Sequence, residues 1–320
     1  MPNLMSWSTA DRVRSVTGLW AVAPAAAVVM SLATPAMAQP REIGPGPVER
    51  PDWSTRVELN GEYMFRTDNK NNNGDVGIAR AGLEATVVYF ASENVRLSLQ
   101  VGTEYSHYSF KNTALLPNTT IPFNDMYSGR IDPGISFKID EKWSVLATGL
   151  LGFAGEAGAS AGDSFRAGGL AAARYSFNDK LAVSGGVLVQ SRLEDGVLVV
   201  PIAGIEWQIN DQLKLESRGL GLNLTAKIND DWKFVLNGEY QTREYRLEES
   251  SPLPSGVIRD KRAAISGKFV YTVDKRVELN LKLGAFVYQE IQADDRNGFE
   301  VATVKAKPGL FVGCGVTLRF

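Results

Sequence analysis

Hydrophobic and polar residues alternate one for one along most of the chain. Val57, Leu59, Gly61, Tyr63 and Phe65 are interleaved with Arg56, Glu58, Asn60, Glu62 and Arg66. Val95, Leu97, Leu99, Val101 and Tyr105 are interleaved with Arg96, Ser98, Gln100 and Glu104. Trp232, Phe234, Leu236 and Tyr240 oppose Lys233, Asn237, Glu239, Gln241 and Arg243, and Val277, Leu279, Leu281 and Leu283 oppose Glu278, Asn280 and Lys282. Side chains of a strand point to its two faces in turn, so a period of two puts one face in an apolar medium and the other in a polar one. The final segment reads the same way. Its even positions from Ala302 to Phe320 are apolar, while Thr303, Lys305, Lys307, Thr317 and Arg319 fall on odd ones.

Strands are predicted near 54–66, 76–91, 95–109, 127–139, 143–155, 164–177, 180–192, 197–209, 212–217, 220–228, 232–246, 258–273, 276–290 and 301–320. That makes fourteen, or twelve if the short pair at 212–217 and 220–228, joined only by Arg218-Gly219, does not span. Most are far longer than the five or six residues typical of strands in soluble proteins. Six junctions are short and polar, including Ile139-Asp-Glu-Lys-Trp143, Phe177-Asn-Asp-Lys-Leu181, Ile209-Asn-Asp-Gln-Leu213, Ile228-Asn-Asp-Asp-Trp232 and Val273-Asp-Lys-Arg-Val277. Asn and Asp bond their own backbone and so build tight hairpins. The intervening connections, among them Thr67–Asp75, Lys111–Met126 and Leu247–Val257, are mostly longer. Short turns at one end and long loops at the other are the asymmetry of a transmembrane, antiparallel, up-and-down β-barrel.

The last residues, Gly315-Val-Thr-Leu-Arg-Phe320, resemble the closing strand of bacterial outer-membrane β-barrels, which typically ends in Phe. That resemblance implies a Gram-negative outer membrane, contact with its lipid, and recognition of this strand by the barrel-assembly machinery. Pro201-Ile-Ala-Gly-Ile-Glu-Trp, followed by Arg218-Gly-Leu-Gly-Leu, is similar to an uncharacterised outer-membrane-like family over the C-terminal half. It implies no activity.

Residues 1–38 are expected to be a cleaved signal peptide, with Arg12 and Arg14 before an apolar run and Ala36-Met37-Ala38 as the cleavage site. Residues 39–52, carrying Pro40, Pro45, Pro47 and Pro51, read as a periplasmic tail, and 53–320 as the barrel. No later stretch approaches the ~18–20 continuous apolar residues of a membrane helix. Net charge is −2; the first 38 residues contribute +1, so the remainder carries −3. That near-neutral balance gives no reason to expect a nucleic-acid partner. Cys314 is the single cysteine, so no intramolecular disulfide can form.

Aromatic residues cluster at both strand ends, as interfacial girdles would require. Trp53, Tyr89, Phe137, Trp143, Phe177, Trp207, Trp232 and Phe320 lie near the short turns. Tyr63, Phe65, Tyr105, Tyr108, Tyr127, Tyr240, Tyr245 and Tyr288 lie toward the long loops. Pro133, Pro201 and Pro308 interrupt strands, each with a glycine within three residues, and are read as bulges or bends.

Chemistry is sparse. One histidine, His107, and one cysteine exclude a His/Cys metal centre. Ser106 points to the opposite face from His107 and Ser109 lies two residues along, a poor start for a hydrolase. No cofactor and no enzyme activity are expected. The inward face supplies the candidate pore lining: Arg56, Glu58, Glu62, Arg80, Glu84, Glu104, Arg174, Glu206, Lys233, Glu239, Lys268, Glu278, Lys282, Lys305 and Lys307. Mixed signs argue against strong ion selectivity. The expectation is a passive narrow pore for ions or small solutes. The alternative is a structural or surface-binding barrel with a plugged lumen and functional extracellular loops.

Overall fold

The computed structural model describes residues 52–70, 74–113, 115, 123–194 and 196–320. The expected signal peptide, and the expected tail up to residue 51, lie outside them. The strands are β1 (Trp53–Asp68), β2 (Asp75–Phe90), β3 (Val95–Lys111), β4 (Asp125–Lys138) and β5 (Trp143–Glu156). They continue through β6 (Phe165–Asn178), β7 (Leu181–Ser191), β8 (Val197–Gln208), β9 (Leu213–Arg218) and β10 (Gly221–Lys227). The last are β11 (Trp232–Arg246), β12 (Val257–Thr272), β13 (Val277–Asp294), β14 (Glu300–Ala306) and β15 (Gly309–Arg319). From β1 to β13 each strand pairs antiparallel with the next; β14 and β15 both pair with β13, and β15 returns to pair with β1. Since β14 and β15 are two halves of one wall position, the molecule is a closed antiparallel barrel of fourteen strands. Closure leaves no sheet edge at the seam between β15 and β1, as a lipid environment demands.

Five of the short turns share one device. The side-chain oxygens of Asp140, Asn178, Asn210, Asn229 and Asp274 each accept from the backbone N–H groups two and three residues on, at 2.7–3.0 Å. In the turn before β3, Ser92 Oγ takes the same part toward Asn94 and Val95.

The apolar belt is on the outside. Leu59, Leu83, Leu97, Ile131, Ile135, Leu236, Phe269, Leu279 and Leu283 are all exposed, which only a hydrocarbon surround makes favourable for so many side chains. At the short-turn end, Trp and Tyr face each other across neighbouring strands three times: Trp53 with Tyr89, Trp143 with Tyr175 and Trp232 with Tyr271, ring centroids 4.5–4.9 Å apart. At the other end Tyr63, Phe65, Tyr105 and Tyr127 form part of the second girdle. Tyr108 and Tyr245 do not belong to it. They fall on the inward phase of β3 and β11 and are 0% and 1% exposed.

The three prolines act differently. Pro133 leaves β4 and β5 unpaired between Ile131 and Gly134 without changing register. Pro201 keeps its place in the β7–β8 ladder. Pro308 separates β14 from β15 and reverses the side-chain phase. Before it Ala302 and Val304 pack against the interior core and Ala306 is buried in it, whereas after it Leu310 is exposed and Phe311 is buried. The expected single apolar face from Ala302 to Phe320 is therefore two faces joined by a flip.

The wall is uneven. β9 and β10 have six and seven residues, against eleven to eighteen in β1–β8 and β11–β13. At the long-loop end the top of β11 crosses to meet the top of β5, where Arg246 and Gly155 make a parallel bridge. The outer end of the barrel is pinched at that point.

Candidate functional site

Among the described residues, charged side chains converge from many strands in the interior. Alternation and closure bring this about: each inward position of a closed barrel faces the same narrow space. Toward the periplasmic end the groups are partly wet. Arg174 donates to Glu206 at 3.0 Å, and Lys214 lies 2.9 Å from both Glu206 and Glu216. Lys233 and Arg319 both donate to Glu278, at 2.7 and 2.8 Å. Arg56 pairs with Glu58, and Arg130 with Glu84. Lys268 stands on β12 directly opposite Lys282 of β13.

Higher in the barrel some pairs reach farther round the ring. Lys282 reaches Glu62 and Glu239, each at 3.2 Å. Arg80 of β2 donates to Asp260 of β12 at 2.8 Å, and Tyr108 of β3 donates to the same oxygen at 2.6 Å. Arg262 pairs with Asp260 as well. Arg243 of β11 donates to both oxygens of Glu104 on β3, at 2.7 and 2.9 Å. β3 and β11 are not neighbours in the wall, and the β11–β5 bridge at the outer end brings them within three strands of each other, so this pair spans the pinched part of the lumen. Asp260 is 0% exposed and Arg262 1%.

Around and above these pairs the interior is apolar. Met64, Phe110, Leu115, Phe123, Met126, Leu247, Ile258, Phe286 and Phe311 form one buried cluster with Tyr108 and Tyr245. The lumen is thus a polar vestibule, then ion pairs set among apolar side chains that continue toward the outer loops as a plug.

Of the fifteen candidate lining residues, Arg56, Glu58, Glu62, Arg80, Glu84, Glu104, Arg174, Glu206, Lys233, Glu239, Lys268, Glu278 and Lys282 face this space. Lys305 and Lys307 do not. The flip at Pro308 puts them on the outer side of the wall, where Lys305 lies 3.4 Å from Glu290 and Lys307 donates to Asp68 at 3.2 Å. The alternation had hidden Asp260, Arg262 and Arg243 as a linked group, because Asp260 and Arg243 take partners more than a hundred residues away in sequence. It had also hidden a second buried apolar cluster on the inner face of β5–β8, formed by Leu146, Leu150, Leu170, Leu188 and Val200.

His107 is on the outer face, two residues from the girdle residue Tyr105. Its Nδ1 lies 2.8 Å from Asp125 Oδ1, which also accepts the Tyr105 hydroxyl at 2.5 Å. Ser106 is on the opposite, inner face, bonded to Arg80, and Ser109 is bonded to Arg66.

The sequence matches a family described as a domain of unknown function, DUF6268, over residues 60–319. The chain belongs to this family. No curated protein matches it. Several solved structures overlap it broadly. An outer-membrane channel from Pseudomonas putida F1 is 12% identical, with 87% of this chain and 100% of that chain covered and a TM-score of 0.47. The toluene transporter TodX of P. putida is 9% identical, with 85% and 91% covered and a TM-score of 0.41. The toluene transporter TbuX of Ralstonia pickettii is 10% identical, with 83% and 90% covered and a TM-score of 0.40. Likeness at this level carries nothing about substrate.

Proposed function

We propose that the protein is an outer-membrane channel that rests closed along its axis and conducts small solutes or ions only when its cross-barrel ion pairs part. The observation that supports this reading most is Arg243 gripping Glu104 across the pinched lumen, among apolar side chains and above a wet vestibule. A fixed barrel needs no such pair for its wall, which the strand ladder already holds. Buried pairs add little stability over apolar packing, and a switch role is among their best-attested uses. The apolar outer face and its aromatic girdles support residence in the outer membrane, and Phe320, exposed at the end of the closing strand, fits recognition by the assembly machinery.

The test is single-channel recording in planar bilayers. Wild type is expected to be silent, and Glu104→Gln with Asp260→Asn to give discrete steps. Ohmic steps from wild type would show an open pore instead. Silence from every variant would favour the second reading, a plugged structural or surface-binding barrel. That reading draws on the aromatic and aliphatic plug, which no exchange of charges would remove.

A further inference from the structure

We infer that the barrel wall is open in its outer-leaflet half between β8 and β11, and that this notch admits the alkyl chain of a membrane amphiphile onto the apolar inner surface of β5–β8. The inference is independent of how the axis closes. β8 pairs with β7 along its whole length but with β9 only at Glu206, Trp207 and Gln208. β11 pairs with β12 along its whole length but with β10 only from Lys233 to Glu239. Above those points, no described strand joins the two.

The depth of the gap follows from the girdles. Trp207 and Trp232 stand at the short-turn end, and a spanning strand needs ~9–11 residues. Val197 lies ten residues above Trp207, so the unpaired stretch of β8 is still within the belt. Val197 and Val199 are 65% and 61% exposed there. A bare strand edge in hydrocarbon is costly, since its N–H groups have no water to bond. This edge is blunted. Gln208 N–H bonds β7 at Lys180, so the alternate residues from Ile205 upward turn theirs to the gap. Ile205 donates to Ser217 Oγ at 3.1 Å, and Pro201, on the same phase, has no N–H to lose.

Behind the edge the inner face is apolar rather than charged. Leu198 and Ile202 are half-buried and lead to buried Val200 and Leu188. The roof of the notch is polar but its groups are engaged. Arg246 pairs with Glu194 and donates to Leu193 O at 2.9 Å, and Arg192 donates to Glu244 at 2.9 Å. An opening in the hydrocarbon layer, leading to an aliphatic surface and capped by charges in ion pairs, fits a hydrocarbon chain better than a charged head.

The test places an NBD dye on Ile202→Cys in a Cys314→Ser background, with the full barrel in vesicles containing doxyl-labelled phosphatidylcholine. Val199→Cys gives the lipid-facing reference, and Asn60→Cys, on the inner face of a complete stretch of wall, gives the shielded one. Loss of fluorescence at position 202 matching position 199 is expected. Loss no greater than at position 60 overturns the inference, provided heat-modifiable migration shows the barrel folded. Leu198→Cys repeats the test if Ile202→Cys does not fold. A second arm replaces the labelled phospholipid with a nitroxide fatty acid. Quenching by the phospholipid assigns the chain to bilayer lipid. Quenching only by the fatty acid assigns it to a free single-chain amphiphile, and quenching by neither overturns the notch as a portal.

Discussion

Arg243 on β11 donates through Nε and Nη2 to the two carboxylate oxygens of Glu104 on β3, a bidentate pair across the barrel. Such geometry is the strong form of an ion pair, but both groups gave up water to make it. Glu104→Leu alone leaves a guanidinium uncompensated and should cost about 3–5 kcal/mol, whereas Glu104→Leu with Arg243→Met should be nearly neutral. Urea unfolding in detergent, read by the mobility difference of folded and unfolded barrel, measures both. Equal losses for the single and double variants would mean that the pair is held for stability rather than for switching.

Gly309 begins β15 just after the phase flip, and a Cβ built there would sit 2.1 Å from Thr67 Oγ1 and 3.2 Å from Thr67 Cβ. Thr67 is β-branched and nearly buried, so it has little freedom to move aside. Gly309→Ala should therefore destabilise the barrel by about 1–3 kcal/mol through overpacking. Thr67→Ser, by removing the branch methyl, or Thr67→Gly, by removing the whole side chain, should restore part of the loss. Failure of Thr67→Gly to restore any would place the cost elsewhere in the seam.

The flip shows where sequence reasoning reached its limit. Period-two patterning located the strands that meet lipid on one face and a polar lumen on the other, a local constraint written into each such segment, and the short polar turns bounded the rest. Pro308 with Gly309 signalled an irregularity, but alternation resumed in apolar letters on both sides, so the exchange of faces for Lys305 and Lys307 left no trace. The inner face of β5–β8 was missed for a related reason. Leu146, Leu150, Leu170 and Leu188 alternate with Val145, Ala147, Gly149, Ala171, Val187 and Val189, so both phases are apolar and neither face announces itself. The cross-barrel pairs depend on closure, a property of the whole ring that no single segment encodes.

Arg246 ties the top of β11 to three loops: besides Glu194 and Leu193 O it donates to Asp163 O at 3.1 Å and Ser255 O at 2.7 Å. Arg246→Ala removes all of these at once while the β11–β12 ladder survives. The β7–β8 connection should become sensitive to external protease on intact cells, with melting of the barrel little changed. A protected connection in the variant would show that Arg192 with Glu244 suffices to hold the outer end shut.

Asp140 makes the same turn as Asn178, Asn210 and Asn229, but it alone of these four titrates. The N–H groups of Trp143 and Lys142 that bond its carboxylate hold its pKa below the usual aspartate range. A lowered folded pKa means a contribution that is full above the unfolded value and fades as pH falls through the folded one. The first amides of β5 should lose protection against hydrogen exchange on acidification below the ordinary aspartate pKa, while those following Asn178, Asn210 and Asn229 keep theirs. Asp140→Asn should retain the turn and abolish the pH dependence. Exchange measured in detergent micelles, referred to intrinsic rates at each pH, decides it. A parallel loss at all four turns would trace the effect to the barrel as a whole instead of this carboxylate.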